Sequence, residues 1–225
     1  MRFPLSSLDW IALAWFLVWW IGYVLFAQWY ARRYPSLVGL MTEQRRKWMS
    51  AVMDRENRIG DVSILTNLSN GATFFASTTL LILGGLLALL GTTDKLASVV
   101  TDLPFAKQST EQVWEIKVLL LTGIFMFAFF KFTWALRLYH FCSVLVGSAP
   151  PVGSRGEAVE SFITRATRTS TQGAESFNNG LRAYYFSLAA TMWVINPWIW
   201  MMATSWVVLI LYHREFHSEA LHALT

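Results

Sequence analysis

A chain of 225 residues that is 55% hydrophobic, with a positive mean hydropathy, belongs to one of two classes: a single large soluble core or a small helical membrane protein. Its net charge of +4 would suit nucleic acid, but uncharged stretches divide the basic residues among separate loops, which argues against a nucleic-acid surface. The single cysteine, Cys142, excludes an intramolecular disulfide and any multi-cysteine zinc or iron–sulfur centre.

The distribution of charge decides for the membrane. Residues 10–30, 62–93 and 183–212 carry no Asp, Glu, Lys or Arg, and residues 118–136 carry only Lys131. About 20 apolar residues suffice to cross the hydrocarbon. Four spans are therefore expected, over about 10–30, 66–91, 114–136 and 184–212, and the chain reads as an all-α, four-helix integral membrane protein of one domain. Trp10 and Trp29, or Trp114 and Trp134, stand near span ends as interfacial aromatics do.

In chain order, Ser7 or Asp9 is suited to cap the first span. That span is read as retained rather than as a signal peptide, because no basic lead-in and no small-x-small site accompany it. Gln28 is its one strongly polar residue, and Pro35 after Arg32-Arg33-Tyr34 is expected to end the helix. Residues 42–60 mix Arg45, Arg46, Arg55 and Arg58 with Trp48, Met49, Val52 and Ile59, the pattern of an amphipathic helix on the membrane surface.

The second span opens with amides and hydroxyls. At about 100° per residue, Thr66, Asn70, Thr73 and Ser77 share a narrow face that Gly84, Ala88 and Gly91 continue. On a spanning helix such a stripe is expected to face protein or water. Loop two, residues 92–112, offers no metal-ligand spacing.

The third span passes Lys131 near its exit, with Arg137 and His140 beyond. Lys131 and Arg137 read as interfacial cations, snorkelling or standing at the mouth of a pathway. The third loop, about 137–183, holds a turn at Pro150-Pro151 and then a helix over 157–177 carrying Arg165 and Arg168, with Arg182 following. Asn196-Pro197 falls near the middle of the expected fourth span and predicts a midplane kink. His213 and His217 lie four residues apart, a spacing that reads as a hydrophilic tail sooner than a metal site, and no metal or other cofactor is expected.

Arg32, Arg33, Arg45, Arg46, Lys47, Arg55, Arg58, Arg155, Arg165, Arg168 and Arg182 fall in loops one and three, against Arg2, Lys95, Lys107, Lys117 and Arg214 on the other side. The positive-inside rule then makes loops 31–65 and 137–183 cytoplasmic and both termini periplasmic, in a multi-pass inner-membrane protein.

The halves also match each other at an offset near 110 residues: Leu37-Val38-Gly39 with Leu145-Val146-Gly147, Arg55 and Arg58 with Arg165 and Arg168, Asn70-Gly71 with Asn179-Gly180. This predicts a parallel two-fold internal repeat about the membrane normal. The basic-Tyr-Pro stretch at 32–35, the Asn-x-x-Asn-Gly-Ala-x-Phe-x-Ala-Ser-Thr-x-Leu run at 67–80 and the Asn-Gly-Leu-Arg-Ala-Tyr-Tyr-x-Ser run at 179–187 resemble the membrane family catalogued as domain of unknown function 599. The resemblance implies a bacterial four-helix membrane protein and carries no catalytic residue.

No phosphate loop, GxSxG, HExxH or intramembrane carboxylate pair is present, so no enzyme is expected. Two functions fit. In the first, a homo-oligomer lines a conduit for ions or small polar solutes with the Thr66/Asn70/Thr73/Ser77 face. In the second the same face is packing glue, and the cytoplasmic arginines of a structural or regulatory subunit hold anionic membrane lipids or a protein partner.

Overall fold

The computed structural model describes residues 5–30, 36–91 and 110–218, apart from the Gln28 side chain. Expectations for Arg2, Arg32, Arg33, Pro35, Lys95, Lys107 and most of loop two lie outside the described residues. The described residues form six α-helices and no strand: α1 Ser7–Tyr30, α2 Leu37–Val52, α3 Ile59–Leu90, α4 Glu111–Gly147, α5 Glu157–Thr191 and α6 Pro197–Phe216.

Local chemistry explains the starts. The Asp9 carboxylate accepts from the Ser6 backbone N–H and hydroxyl, while the Ser6 Oγ accepts from the Asp9 N–H at 3.3 Å, a reciprocal cap for α1. Ser36 Oγ accepts from the Gly39 N–H at 3.1 Å and caps α2. Three stretches have the length and apolarity to cross a membrane: Ser7–Ala27, Ile59–Leu90 and Glu111–Gly147.

The continuous fourth span expected over 184–212 does not form. Helix α5 stops at Thr191, a single 3₁₀ turn covers Met192–Val194, and Asn196, in extended backbone, caps a new helix through its side chain to the Trp198 N–H at 2.9 Å. Pro197 takes the first helical position, where its missing N–H costs nothing. Asn196-Pro197 is thus a helix start after a reversal rather than a midplane kink. Helix α6 runs back along α5: Trp193 and Trp200 stack at 4.4 Å between ring centroids, and Arg182 meets Glu215 at 3.4 Å.

The reversal sets the two ends of the bundle. Asp9, Lys117 and Trp193 gather at one end, where Asp9 Oδ1 accepts from Trp193 Nε1 at 3.0 Å and the Lys117 ammonium lies 5.8 Å from the same ring's centroid. Helix α2, the α4–α5 connection and the end of α6 gather at the other. The starts of α1 and the end of α6 therefore lie at opposite ends of the bundle, whereas the expected topology placed both termini on one side.

Helix α5 is the central helix although its composition is not that of a span. It buries the small residues Ala166, Ser170, Gly173, Gly180, Ala183, Ser187 and Ala190, of which Ala166, Gly173 and Gly180 meet α4. A Cβ on Gly180 would stand 2.6 Å from a Phe132 ring carbon, and one on Gly173 would stand 2.8 Å from the Tyr139 ring. Small residues let two backbones approach where hydrophobic exclusion by water is absent.

The expected parallel repeat has no counterpart in this packing. Helix α4 lies along α5, while α1 packs chiefly on α6 and forms no equivalent pair with α3. Gly71, matched to Gly180 in sequence, has nothing within 4 Å of an added Cβ. Gly180→Ala is expected to lower stability by about 1–3 kcal/mol through overpacking, and Gly71→Ala to leave it unchanged or raise it. Thermal unfolding of the two variants in detergent, followed by circular dichroism, checks the contrast.

Candidate functional site

At the arginine-rich end, α2, α3, α4, α5 and α6 enclose a vestibule of about 270 Å³. Its apolar walls include Leu37, Met41, Leu68 and Leu211, and its polar groups include Arg45, Arg182, Arg214, Tyr139, Tyr185 and Glu215. The reversal at Asn196 is what brings Arg214 and Glu215 here.

Each guanidinium is held differently. Arg182 donates to Asn179 Oδ1 at 3.2 Å and to Glu215 Oε2 at 3.4 Å, and lies 5.6 Å from the Tyr23 ring centroid. Arg214 donates to the Tyr185 hydroxyl and covers that ring. Arg45 makes no hydrogen bond or ion pair among the described residues. Burial lowers its pKa from the ordinary value, against the raising influence of Tyr139 and Glu175, and a guanidinium so placed stays charged at neutral pH. Three cations thus share the cavity with Glu215, the one carboxylate in its lining.

Thr171 joins this vestibule to a polar groove of about 400 Å³ between α2 and α5, lined by Thr42, Arg46, Thr167, Arg168 and Glu175 among others. The hydroxyls of Thr167 and Thr171 are buried there without a protein partner. Deeper in the bundle the rings pack on one another: Phe132 contacts Phe75, Phe177 and Tyr184, and Phe16 contacts Phe186 and Trp200.

The Thr66, Asn70, Thr73 and Ser77 side chains are exposed on the outer face of α3. The buried face is Asp61, Leu65, Ser69, Ala72, Ala76 and Thr79, displaced around the helix. Within one chain the stripe therefore neither lines an internal path nor glues helices; Thr66 and Thr73 return their hydroxyls to their own helix, to the Val62 and Ser69 carbonyls.

The basic residues singled out from sequence divide. Arg55 pairs with Asp61, which also accepts from Trp48 Nε1 at 2.7 Å, so this cluster staples α2 to α3. Arg58 donates to the carbonyls of Ala149 and Pro150 at 3.1 and 2.7 Å and fixes the α4–α5 connection. Arg46 bridges to Glu160 at 2.7 Å with both side chains exposed, and Arg165 donates to the Ser161 carbonyl on its own helix. Arg168 lines the groove, while Arg45 and Arg182 line the vestibule. Lys131 and Arg137 lie over the rings of Phe127 and Phe141 at 5.3 and 5.4 Å. The His213 and His217 rings stack at 6.2 Å between centroids, and no group of three metal-binding side chains occurs among the described residues.

Sequence reasoning missed Arg214, Glu215, Tyr185 and Asp61. The signal for the first three was Asn-Pro, a cap followed by a first-turn proline, which marks a helix start as readily as a kink.

No curated protein and no solved structure matches the chain. A family model described as "Protein of unknown function, DUF599" matches residues 11–220, which take in nearly all of the six helices and every vestibule residue named here. The chain belongs to that family.

Proposed function

We propose that this is a five-pass inner-membrane protein that binds an anionic ligand in the Arg45/Arg182/Arg214 vestibule, as a non-enzymatic regulatory or structural subunit. The observation that carries the reading is the excess of three guanidiniums over one carboxylate in a single cavity. Arginine presents a fork of donors matched to phosphate and carboxylate oxygens, and such charge-assisted bonds are the strong ones.

The membrane crossings are α1, α3, α4, the distal part of α5, and α6. Arg45, Arg46, Arg55, Arg58, Arg165, Arg168, Arg182 and Arg214 stand toward one end, which the positive-inside rule makes cytoplasmic. The N-terminal end of α1 is then periplasmic and the C-terminal end of α6 cytoplasmic. In a Cys142→Ser background, His217→Cys is expected to react with an impermeant maleimide only in inside-out vesicles, and Ser6→Cys only in right-side-out cells. Labelling of both from the same side would refute the reversal.

For the vestibule, inorganic pyrophosphate titrated into purified protein by calorimetry is the probe. Arg45→Gln is expected to weaken binding by roughly tenfold or more, the scale of one lost charge-assisted hydrogen bond, while Arg165→Gln leaves it unchanged.

The outward stripe supports a second reading, in which copies assembled through α3 place Thr66, Asn70, Thr73 and Ser77 around a shared conduit. Conductance across a planar bilayer in asymmetric potassium chloride tests it. Under this reading Asn70→Asp shifts the reversal potential toward cation preference; a silent, well-folded oligomer rejects it.

A further inference from the structure

We infer that the vestibule takes its anion from the bilayer: its ligand is a phosphate-headed membrane lipid whose chain lies in a lateral gap between α3 and α6. This rests on the anion-binding reading above and names the source of the ligand.

The gap follows from helix geometry. Tyr184 turns toward α3, where its hydroxyl and the Thr79 hydroxyl lie 2.8 Å apart. Tyr185 turns toward α6, where it meets Arg214. At about 100° per residue, Leu181 and Leu188 project between those two directions, and nothing on α5 itself covers them. Helices α3 and α6 do not form a packed pair, and Leu188 is 63% exposed. Leu181 belongs to the vestibule lining with Arg182 and Asn178, and Leu188 lies two turns further along the same face of α5. Leu188 lies six residues beyond Arg182, about 9 Å further toward the bilayer centre at the helical rise.

The chemistry of the cavity matches an amphiphile. A site for a small free anion needs donors on every side, whereas this one is walled by Leu37, Val38, Met41, Leu68, Phe177 and Leu211 around its arginines. Arg45, which makes no hydrogen bond or ion pair among the described residues, stands on α2 at the aqueous side with Tyr139 and Glu175 within electrostatic reach, and Arg214 stands on α6. A headgroup phosphate between them would leave its chain pointing along Leu181 and Leu188.

The test uses the full chain in nanodiscs of phosphatidylcholine doped with phosphatidic acid, released into mild detergent and weighed by native mass spectrometry. The parent is expected to retain one phosphatidic acid in preference to phosphatidylcholine. Arg45→Gln and Leu188→Trp are each expected to cut that retention about tenfold, the first by removing a charge-assisted bond and the second by filling the gap. Leu119→Trp, on an exposed face of α4, is the control and should retain it. Circular dichroism confirms that each variant folds.

Calorimetry with inorganic pyrophosphate separates the two readings. If pyrophosphate binds the parent and Leu188→Trp alike while phosphatidic acid is not preferred, the anion site stands and the lipid source is overturned. Equal retention of phosphatidic acid by every variant identifies it as annular lipid and also overturns the inference. If neither probe binds, both readings fall.

Discussion

The close approach of α4 and α5 is the constraint on which the rest of the bundle depends. With no water to drive apolar surfaces together inside a bilayer, two helices gain most from contact when their backbones come near. Gly173 and Gly180 permit this by leaving space that the Tyr139 and Phe132 rings occupy. Once that seam is set, the orientation of α5 is set with it. Arg182 is turned toward α1 and α6, Tyr184 toward α3, and Asn178 and Leu181 toward the vestibule.

The buried charges are placed where neighbours offset their desolvation. Asp61, 1% exposed, accepts from Arg55 and Trp48 in the first turn of α3, where a helix N-terminus also favours an anion. Asp9 does the same at the opposite end with Ser6 and Trp193, beside the Lys117 ammonium. These clusters tie elements together at the two ends of the bundle. The vestibule differs in kind: Arg182 and Arg214 are braced by an acid, an amide and aromatic faces, and Arg45 is left as a half-buried cation facing a cavity. Bracing two arginines while leaving the third without a hydrogen bond or ion pair among the described residues is an arrangement suited to a ligand, since preorganised donors lose little freedom on binding.

Much of the fold was legible in the chain. Uncharged runs identified α1, α3 and α4, because a bilayer tolerates few other compositions over that length. The amphipathic character of α2 and of the first half of α5 was visible in their charge patterns. The error at 184–212 arose because apolar residues continue through a helical reversal as readily as through a helix; hydropathy reports the solvent, and direction is carried by caps. The repeat misled for a related reason. Small and aromatic residues recur in every span, and matched letters such as Gly71 and Gly180 meet open space in one case and a ring in the other.

The polar stripe shows the same division from the other side. Periodicity placed Thr66, Asn70, Thr73 and Ser77 on one face correctly, since the helical repeat is a local property. Which way that face turned was decided by the burial of Leu65, Ala72 and Ala76 and by Asp61, which bonds to Arg55 and Trp48. Sequence by itself determined the membrane class, the family and the helical faces, all of which follow from composition and local geometry. Only the tertiary structure decided the reversal of α6 along α5 and the gathering of Arg45, Arg182 and Arg214, because those depend on one capped helix start and one glycine-lined contact between residues far apart in the chain.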